Sequence, residues 1–415
     1  PASVLERDVL AARVKDYSPR LLDELMAAGE VLWVGAGAIG HADGRVVLAQ
    51  RDQAGLLLPR LGYGPSVLAG TAGGAPAGDS GGESDGLAAP LHDHIRSVLA
   101  QRGACFFREL SSAGVGDAEL IDALWDLVWA GEVTGDAFGA VRATVGPSRV
   151  GRTARVSRAP HLRSRPRLGS LSALGPPRGQ GRWSLVSREL DLAGGTATEA
   201  GVAVSGLLLE RHGVLTRDAV RGEGVPGGFA SVYPVLRTME ESGRVRRGYF
   251  VAGLGAAQFA LPGAVDRLRS LRSSVGAGAL VPAPGPQFGA TVADAAARHP
   301  GRPAPTVHVL AATDPANPWG VSLPWPVKGP SRTAGAYVVV VDGRPCLYLE
   351  RGGRSLVALR EPDGSWEEAA IGGLGWLLRT GQAARLALQR YPEELGPRLR
   401  EAGWVPTPKG LVRHA

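Results

Sequence analysis

One short pattern recurs three times and constrains the fold more than any other feature. It reads Met26-Ala-Ala-Gly29-Glu30-Val31, then Val128-Trp-Ala-Gly131-Glu132-Val133, then Glu240-Glu-Ser-Gly243-Arg244-Val245. Each copy closes an amphipathic stretch with a glycine and enters an extended segment. A glycine there supplies the left-handed backbone that ends a helix. The periodicity predicts helices over Pro19–Ala28, Asp117–Ala130 and Ala230–Ser242. The extended segments predict short hairpins, such as Val31–Val34 against Val46–Ala49 across the Asp43-Gly44 turn.

The residues ahead of two copies also match. Leu99–Arg108, with Gly103 inside it, parallels Leu209–Asp218, with Gly213 inside it. The full unit is helix, glycine turn, helix, turn, helix and two-stranded wing, a winged-helix plan. The alternative is three unrelated helical hairpins. The first copy lacks its first helix, so the chain reads as a piece of a longer protein.

Composition sorts the rest. A chain of 415 residues has room for two to four domains. Lysine occurs only at Lys15, Lys328 and Lys409, so 43 of the 46 basic residues are arginine, against 39 acids and a net charge of +7. The stretch Arg142–Arg182 holds ten arginines and no acid; without it the chain would carry −3. It reads either as a tract that folds along DNA or RNA or as a disordered tether. Gly62–Gly86, with nine glycines, reads as a flexible linker, and Ser273–Pro305 as a Pro/Gly/Ala-rich one. Cys105 and Cys346 are the only cysteines, which excludes a disulfide framework and a multi-cysteine zinc site. His92 and His94 stand at i, i+2 and do not face one ligand, so no metal is expected. No stretch approaches the roughly 18–20 apolar residues of a membrane helix. No signal peptide is expected, and the expected location is the cytoplasm. No Gly-rich phosphate loop ending in Gly-Lys-Ser/Thr occurs, so this chain is not expected to hydrolyse ATP through one.

The last third changes character. Pro305–Ala312, Ala336–Val341, Cys346–Glu350 and Ser355–Arg360 read as strands joined at Asp342-Gly343 and Gly352-Gly353. They predict a meander that closes into a small barrel. Helices at Gly372–Arg390 and Pro392–Ala402 and a strand near Leu411-Val412 follow. The fold class is α+β: tandem winged-helix domains, then a small β-barrel module with C-terminal helices. The boundaries run 1–60 (partial winged helix), 61–89 (Gly-rich linker), 90–141 (winged helix), 142–182 (Arg-rich linker), 183–272 (winged helix), 273–304 (Pro/Gly linker), 305–370 (barrel) and 371–415 (C-terminal helices and strand).

Three groups of residues carry chemistry. In the third copy, Arg237 lies on the helix that enters a groove in such folds. Arg244, Arg246 and Arg247 open the wing beside Tyr249 and Phe250. Cations suit phosphates and aromatics suit unstacked bases; a solvated charged face is the alternative. In the second copy the same helix is acidic, with Asp117, Glu119, Asp122 and Asp126. Phosphate would repel it, so it is expected to pack on another domain, with Trp125 and Trp129 as core. Two Asx-Pro steps, Asp314-Pro315 and Asn317-Pro318, break a strand and are expected to display Asp314 and Asn317 at the mouth of the sheet. A carboxylate there, beside Trp319, suits an oxocarbenium-like sugar during base excision; an Asx turn capping backbone N–H groups is the alternative. Glu350 and Arg351, ahead of the Gly352-Gly353 turn, form a second catalytic and nucleic-acid-binding candidate, with a salt bridge as the alternative.

Several strings resemble the C-terminal region of the bacterial large helicase-related (Lhr) proteins. They are Arg247–Ala260, Leu124–Val133, Thr313–Gly320, Leu347–Gly353 and Thr407–Leu411, in that family's order and over most of the chain outside the linkers. The resemblance implies a parent protein that is an ATP-dependent 3′-to-5′ DNA translocase, unwinds DNA and RNA–DNA hybrids and acts in DNA repair. Its ATPase core, with ATP and Mg, would lie upstream, leaving no cofactor in this chain. The region implied here combines tandem winged helices with a β-barrel, is similar to winged-helix DNA glycosylases, and assembles the helicase into homo-oligomers. Some members excise uracil. Those glycosylases use a Gln–apolar–Gln motif; the nearest string, Gln258-Phe259-Ala260, lacks the second glutamine. The catalytic acid of some Lhr proteins lies near the C-terminus, where Val412–Ala415 carries no side-chain carboxylate. The expectation is therefore a nucleic-acid-binding and assembly module. A base-excising glycosylase using Asp314 or Glu350 and a purely structural scaffold are the alternatives.

Overall fold

A computed structural model of the chain describes residues 1–40, 42–65, 85–146, 175–191, 194–277 and 305–415. Three helices, Pro19–Ala27, Asp117–Trp129 and Gly228–Glu241, end in the same hydrogen-bonded turn. The glycines after them, Gly29, Gly131 and Gly243, have φ of 74°, 76° and 73°. Each donates its N–H three residues back, to Met26, Val128 or Glu240. The next residue, Glu30, Glu132 or Arg244, donates five back, to Leu25, Leu127 or Met239. This paired closure is the Schellman motif, which only a left-handed residue completes without strain. Its recurrence in three places makes the sequence repeat a structural one.

The described chain divides into two compact units, Pro1–Ser3 with Ser18–Val204 and Val4–Tyr17 with Ser205–Ala415. In the first unit, strands Val31–Ala38 and Gly44–Gln50 form a hairpin, with Trp33 opposite Leu48 and Val34 opposite Val47. A winged helix follows: helices Asp85–Arg102 and Asp117–Trp129 with a 3-10 turn at Phe107–Leu110 between them. Its sheet has the order Cys105–Phe106, Arg182–Leu185, Val133–Gly135. The boundary expected at 142–182 is corrected here, because the returning wing strand lies beyond the arginine-rich stretch. A long excursion between paired strands is tolerated because loop-closure entropy grows only logarithmically with length. Both ends of that stretch are held by acids: Arg142 on Asp23 at 2.8 Å, Arg178 on Asp122 and Arg182 on Asp136, each at 3.0 Å. The rest of it, and most of the Gly-rich and Pro/Gly linkers, lie outside the described residues.

Helix Asp117–Trp129 buries its apolar face, Trp125 and Trp129 included, while its acids Asp117, Glu119, Asp122 and Asp126 stay exposed. The Val31–Gln50 hairpin lies on its end. Gly35 abuts the Val128 backbone and Gly44 abuts the Trp129 ring, leaving no room for a side chain at either glycine. Trp33, Trp125, Trp183 and Phe138, all buried, meet edge to face with ring centroids 6.0–6.3 Å apart, a geometry the ring quadrupoles favour.

The winged-helix order recurs further along the chain: helices Ala197–His212, Arg217–Gly222 and Gly228–Glu241, and a sheet ordered Val214–Leu215, Gln258–Ala260, Arg246–Gly248. Both complete copies carry a short strand after the first helix, which the sequence pattern does not reveal. Two residues carry no periodicity.

The C-terminal strands form an antiparallel meander, Leu356–Ala358, Arg344–Leu349, Tyr337–Val341, Val307–Ala311. Among the described residues its outer strands do not pair with each other, so the expected closed barrel is replaced by an open sheet. Both faces are covered without closure. Helix Glu367–Arg379 packs Ile371 and Leu374 against Val339 and Leu347 on one side. The segment after Ala311 packs Trp319, Leu323 and Trp325 against Val338 and Tyr348 on the other. The helix expected over Gly372–Arg390 is corrected to Glu367–Arg379. Gly381, at φ 72°, takes the chain out of the helix, and Arg385–Leu388 becomes a strand beside Gly410–His414. Finally, Val4–Tyr17 belongs to this unit. Asp8 is buried and accepts from the Tyr337 hydroxyl at 3.1 Å; burial first, and then the Asp8 charge, push the Tyr337 phenol above its ordinary range.

Candidate nucleic-acid interface

The third winged helix offers the most open cationic surface among the residues singled out from sequence. Arg246 pairs across the wing with Ala260, Arg247 with Phe259 and Gly248 with Gln258. Phe259 is buried against Phe229 and Tyr233, so Arg247 is drawn over the helix, its guanidinium 6.0 Å from the Tyr233 ring centroid. Arg244 and Arg246 are exposed and pair with no carboxylate among the described residues. The Tyr249 ring is 66% exposed at the wing's start, whereas Phe250 folds back over Gly248. Arg237 is on the open face of the helix but holds Glu241 at 2.9 Å; that i, i+4 partner offsets part of the charge Arg237 would offer an anion.

The wing is held in shape by a residue whose role sequence reasoning missed. Gln258 is buried, and its oxygen accepts from the backbone N–H groups of Phe250 and Val251 at 3.0 and 2.9 Å. Its nitrogen donates to the carbonyls of Val251 and Gly255 at 2.8 and 2.7 Å. Both donors and both lone pairs of the amide are used. The glutamine that resembled half of a glycosylase motif is thus the fastener of the Tyr249–Gly255 loop. A glutamine three residues after the last glycine of the turn, Gly255, was the available signal.

The second candidate group is brought together differently. Asp314 and Asn317 are buried, not displayed at a sheet mouth. Both Asp314 oxygens are held by the Arg13 guanidinium, one at 2.7 Å, and Oδ1 also accepts from the Ala316 N–H at 2.7 Å. Asn317 donates to the Ala312 carbonyl at 2.8 Å and accepts from the Trp319 N–H at 3.2 Å. Arg332 donates to the carbonyls of Asp314 and Asn317 at 2.9 and 2.6 Å; burial, weighed against the nearby Asp314 and Glu223 charges, lowers its pKa. The counter-charge of Arg13, 301 residues away in sequence, is the reason the carboxylate turns inward. Glu350 stays partly open, 3.4 Å from Arg390, and Arg351 is exposed at its turn.

A family model described as the winged-helix domain of large helicase-related protein matches residues 194–280, and another of the same description matches 1–51. The first match spans the third winged helix with its wing; the second spans the Val31–Gln50 hairpin and its preceding helix. The chain is 42% identical over 400 residues to the Lhr helicase/probable uracil glycosylase of Mycolicibacterium smegmatis, covering 94% of this chain and 23% of that protein. It is 34% identical over 434 aligned positions to the Lhr helicase/uracil glycosylase of Escherichia coli, covering 99% of this chain and 25% of that protein. The chain belongs to the large helicase-related (Lhr) family. It spans about a quarter of the length of these curated relatives. The Lhr strings at Arg247–Ala260 and Thr313–Gly320 correspond to the wing with its Gln258 fastener and to the turn around buried Asp314. Among the described residues, no helix is long and apolar enough to cross a membrane, and no group of three His, Cys, Asp or Glu side chains forms a metal cluster.

Proposed function

We propose that this chain is the nucleic-acid-binding and assembly part of an Lhr-type helicase. The observation that carries this reading is the third wing: Arg244, Arg246 and Tyr249 are exposed along its first strand and turn, and the loop that follows is held by Gln258. The cations attract phosphates, and the open ring stacks on an unpaired base. In the second copy the equivalent helix exposes four acids, Asp117, Glu119, Asp122 and Asp126, which repel phosphate, so contact with the strand falls to the third. The ATP-driven 3′-to-5′ unwinding of DNA and RNA–DNA hybrids, and the role in cytoplasmic DNA repair, belong to the longer protein in this reading. This chain contributes the grip on single-stranded or damaged DNA, the contact with the upstream ATPase core and the homo-oligomer.

Fluorescence anisotropy with a labelled single strand, titrated with salt, tests it. An Arg246→Gln/Arg247→Gln chain is expected to bind more weakly, with a salt slope shallower by about 0.7 for each phosphate left without its cation. Tyr249→Ala is expected to weaken binding by about 1–3 kcal/mol. Unchanged affinity and slope in both would remove the wing from the interface.

The printed names of both relatives favour a second reading, uracil excision. Asp314 is closed by Arg13, so the accessible carboxylate for that chemistry is Glu350. Alkali-labile scission at a single uracil, lost in Glu350→Gln but retained in the wing variants, supports it. A salt-sensitive shift without scission leaves the first reading alone.

A further inference from the structure

Strand Gly410–His414 alternates between the core and the outside. Leu411 faces inward and is buried, and Arg413, two residues on, shares its face. Its cross-strand partner is Leu386, itself buried. Arg413 therefore occupies a core-facing position at the end of the row and is partly buried. Opposite it runs the helix Glu367–Arg379, where a glycine, Gly375, occupies an interior turn. Glycine costs a helix interior roughly 1 kcal/mol relative to alanine, so a packing reason is expected. Here the reason is a close approach. Seen from where a Gly375 side chain would begin, Nη1 of Arg379 lies at 3.0 Å and both terminal nitrogens of Arg413 at 3.4 Å. Two guanidinium groups thus converge on one spot.

Nothing in the described protein neutralises them. Neither side chain makes a salt bridge or a hydrogen bond among the described residues. The acids of the same helix, Glu367 and Glu368, stand at its other end, roughly 16–18 Å away along the axis. Arg379 is a favourable cation at a helix C-terminus, but Arg413 comes from a strand and gains nothing from that position. Its pKa is lowered, first by burial and then by the charge of Arg379. Like charges held together in a partly dry place destabilise the fold unless an anion joins them. A guanidinium is planar, forked and weakly hydrated, which suits it to oxyanions in such a place.

We propose that Arg379 and Arg413, converging over Gly375, form a binding site for a phosphate group. The group is either a phosphodiester of a nucleic-acid strand or free phosphate. The site stands apart from the wing and does not rest on it.

The test uses the whole chain. Thermal unfolding is followed in sodium phosphate and in sodium chloride at equal pH and ionic strength. Phosphate is expected to raise the melting temperature of the wild type, because a ligand bound by the folded state alone stabilises it. Arg413→Gln and Arg379→Gln are each expected to lose most of that increment while melting no lower than wild type in chloride. Arg379 is exposed, so its variant decides the matter should Arg413→Gln fail to fold. In a second arm, single-strand affinity is measured against salt. A slope shallower by about 0.7 in each variant identifies a phosphodiester contact, and an unchanged slope with a lost phosphate increment identifies free phosphate. Arg246→Gln/Arg247→Gln keeps the phosphate increment, so the wing and this site fail independently. A wild type that melts alike in phosphate and chloride, or an increment that survives in both arginine variants, overturns the proposal.

Discussion

Gly35 sits so close to the Val128 carbonyl that a methyl group would overlap it, and the obstacle is backbone rather than a movable side-chain tip. Gly35→Ala is therefore expected to destabilise the first unit by about 1–3 kcal/mol, read as an earlier urea midpoint by tryptophan fluorescence. Gly206→Ala, inside helix Ala197–His212 with open space around it, is expected to move the other way by about 0.4–1 kcal/mol. At Gln258 the expectation is sharper. Gln258→Ala strips partners from four backbone groups of the wing, about 1–3 kcal/mol for each one left buried and unsatisfied. Strand affinity should fall with it although no cation is touched, and hydrogen exchange of the Phe250 and Val251 amides should accelerate. Unaltered exchange at those amides would mean that the loop holds itself. The three capping glycines were legible because helix termination is local: a residue, its neighbours and a positive φ. The part played by Gln258 was not, because it depends on how the wing loop folds back on its own return strand. The same holds for Asp314, whose local sequence announces an Asx turn and whose distant partner Arg13 decides that the turn faces inward.

Helix Glu367–Arg379 illustrates both sides at the scale of an element. Its apolar spacing was visible, but its limits were displaced by several residues. Gly381 ends it, and the stretch Gln382–Arg390 that follows looks helical although its middle, Arg385–Leu388, is a strand. Tertiary pairing with Gly410–His414 overrides its propensity. The N-terminal end is set by Glu367, a buried carboxylate that accepts from the Gly364 and Trp366 N–H groups at 2.7 and 3.1 Å. Burial works to raise its pKa, and those backbone donors outweigh it, so the net shift is downward. Such a group contributes stability that is present above its unfolded pKa of about 4.3 and is lost as pH falls through the lower folded value. Acidification below about pH 4.3 should thus cost the second unit more in the wild type than in Glu367→Gln. Melting curves collected between about pH 5 and 3 check this; parallel losses in the two chains would assign the helix end to packing alone. The meander is the other instructive element. Its four strands and their turns follow from alternation and Asp-Gly or Gly-Gly pairs, whereas closure into a barrel depends on what covers the two faces. A helix on one side and the Trp319–Trp325 segment on the other make closure unnecessary.

For the whole molecule, charge is the property that the fold distributes least evenly. The net +7 is matched by the seven arginines between residues 147 and 174, and that stretch is carried between the second wing's two strands, not strung between domains. Replacing those arginines with serine removes the net charge without touching any described ion pair. Binding to a single strand should weaken, with a salt slope shallower by about 0.7 for every phosphate the tract had neutralised, while the melting temperature of the first unit stays within a degree or so. An unaltered slope would limit the tract to a spacer. The order of winged helices and the family were readable from the repeats and strings. The position of this tract was not, because a strand so far along the chain from its partner leaves no local trace.

That topology also bears on how the gene can be divided. Trp183 sits among Trp33 and Trp125, and Val186 and Leu190 pack with Leu32, Val34 and Leu58, all contributed from beyond the excursion. A chain interrupted between residues 146 and 175 would lose a covalent link but keep its core. Encoded as two separate open reading frames ending and beginning there, the halves should find each other during synthesis and co-purify as one particle, making this the natural place to split the protein into complementing fragments.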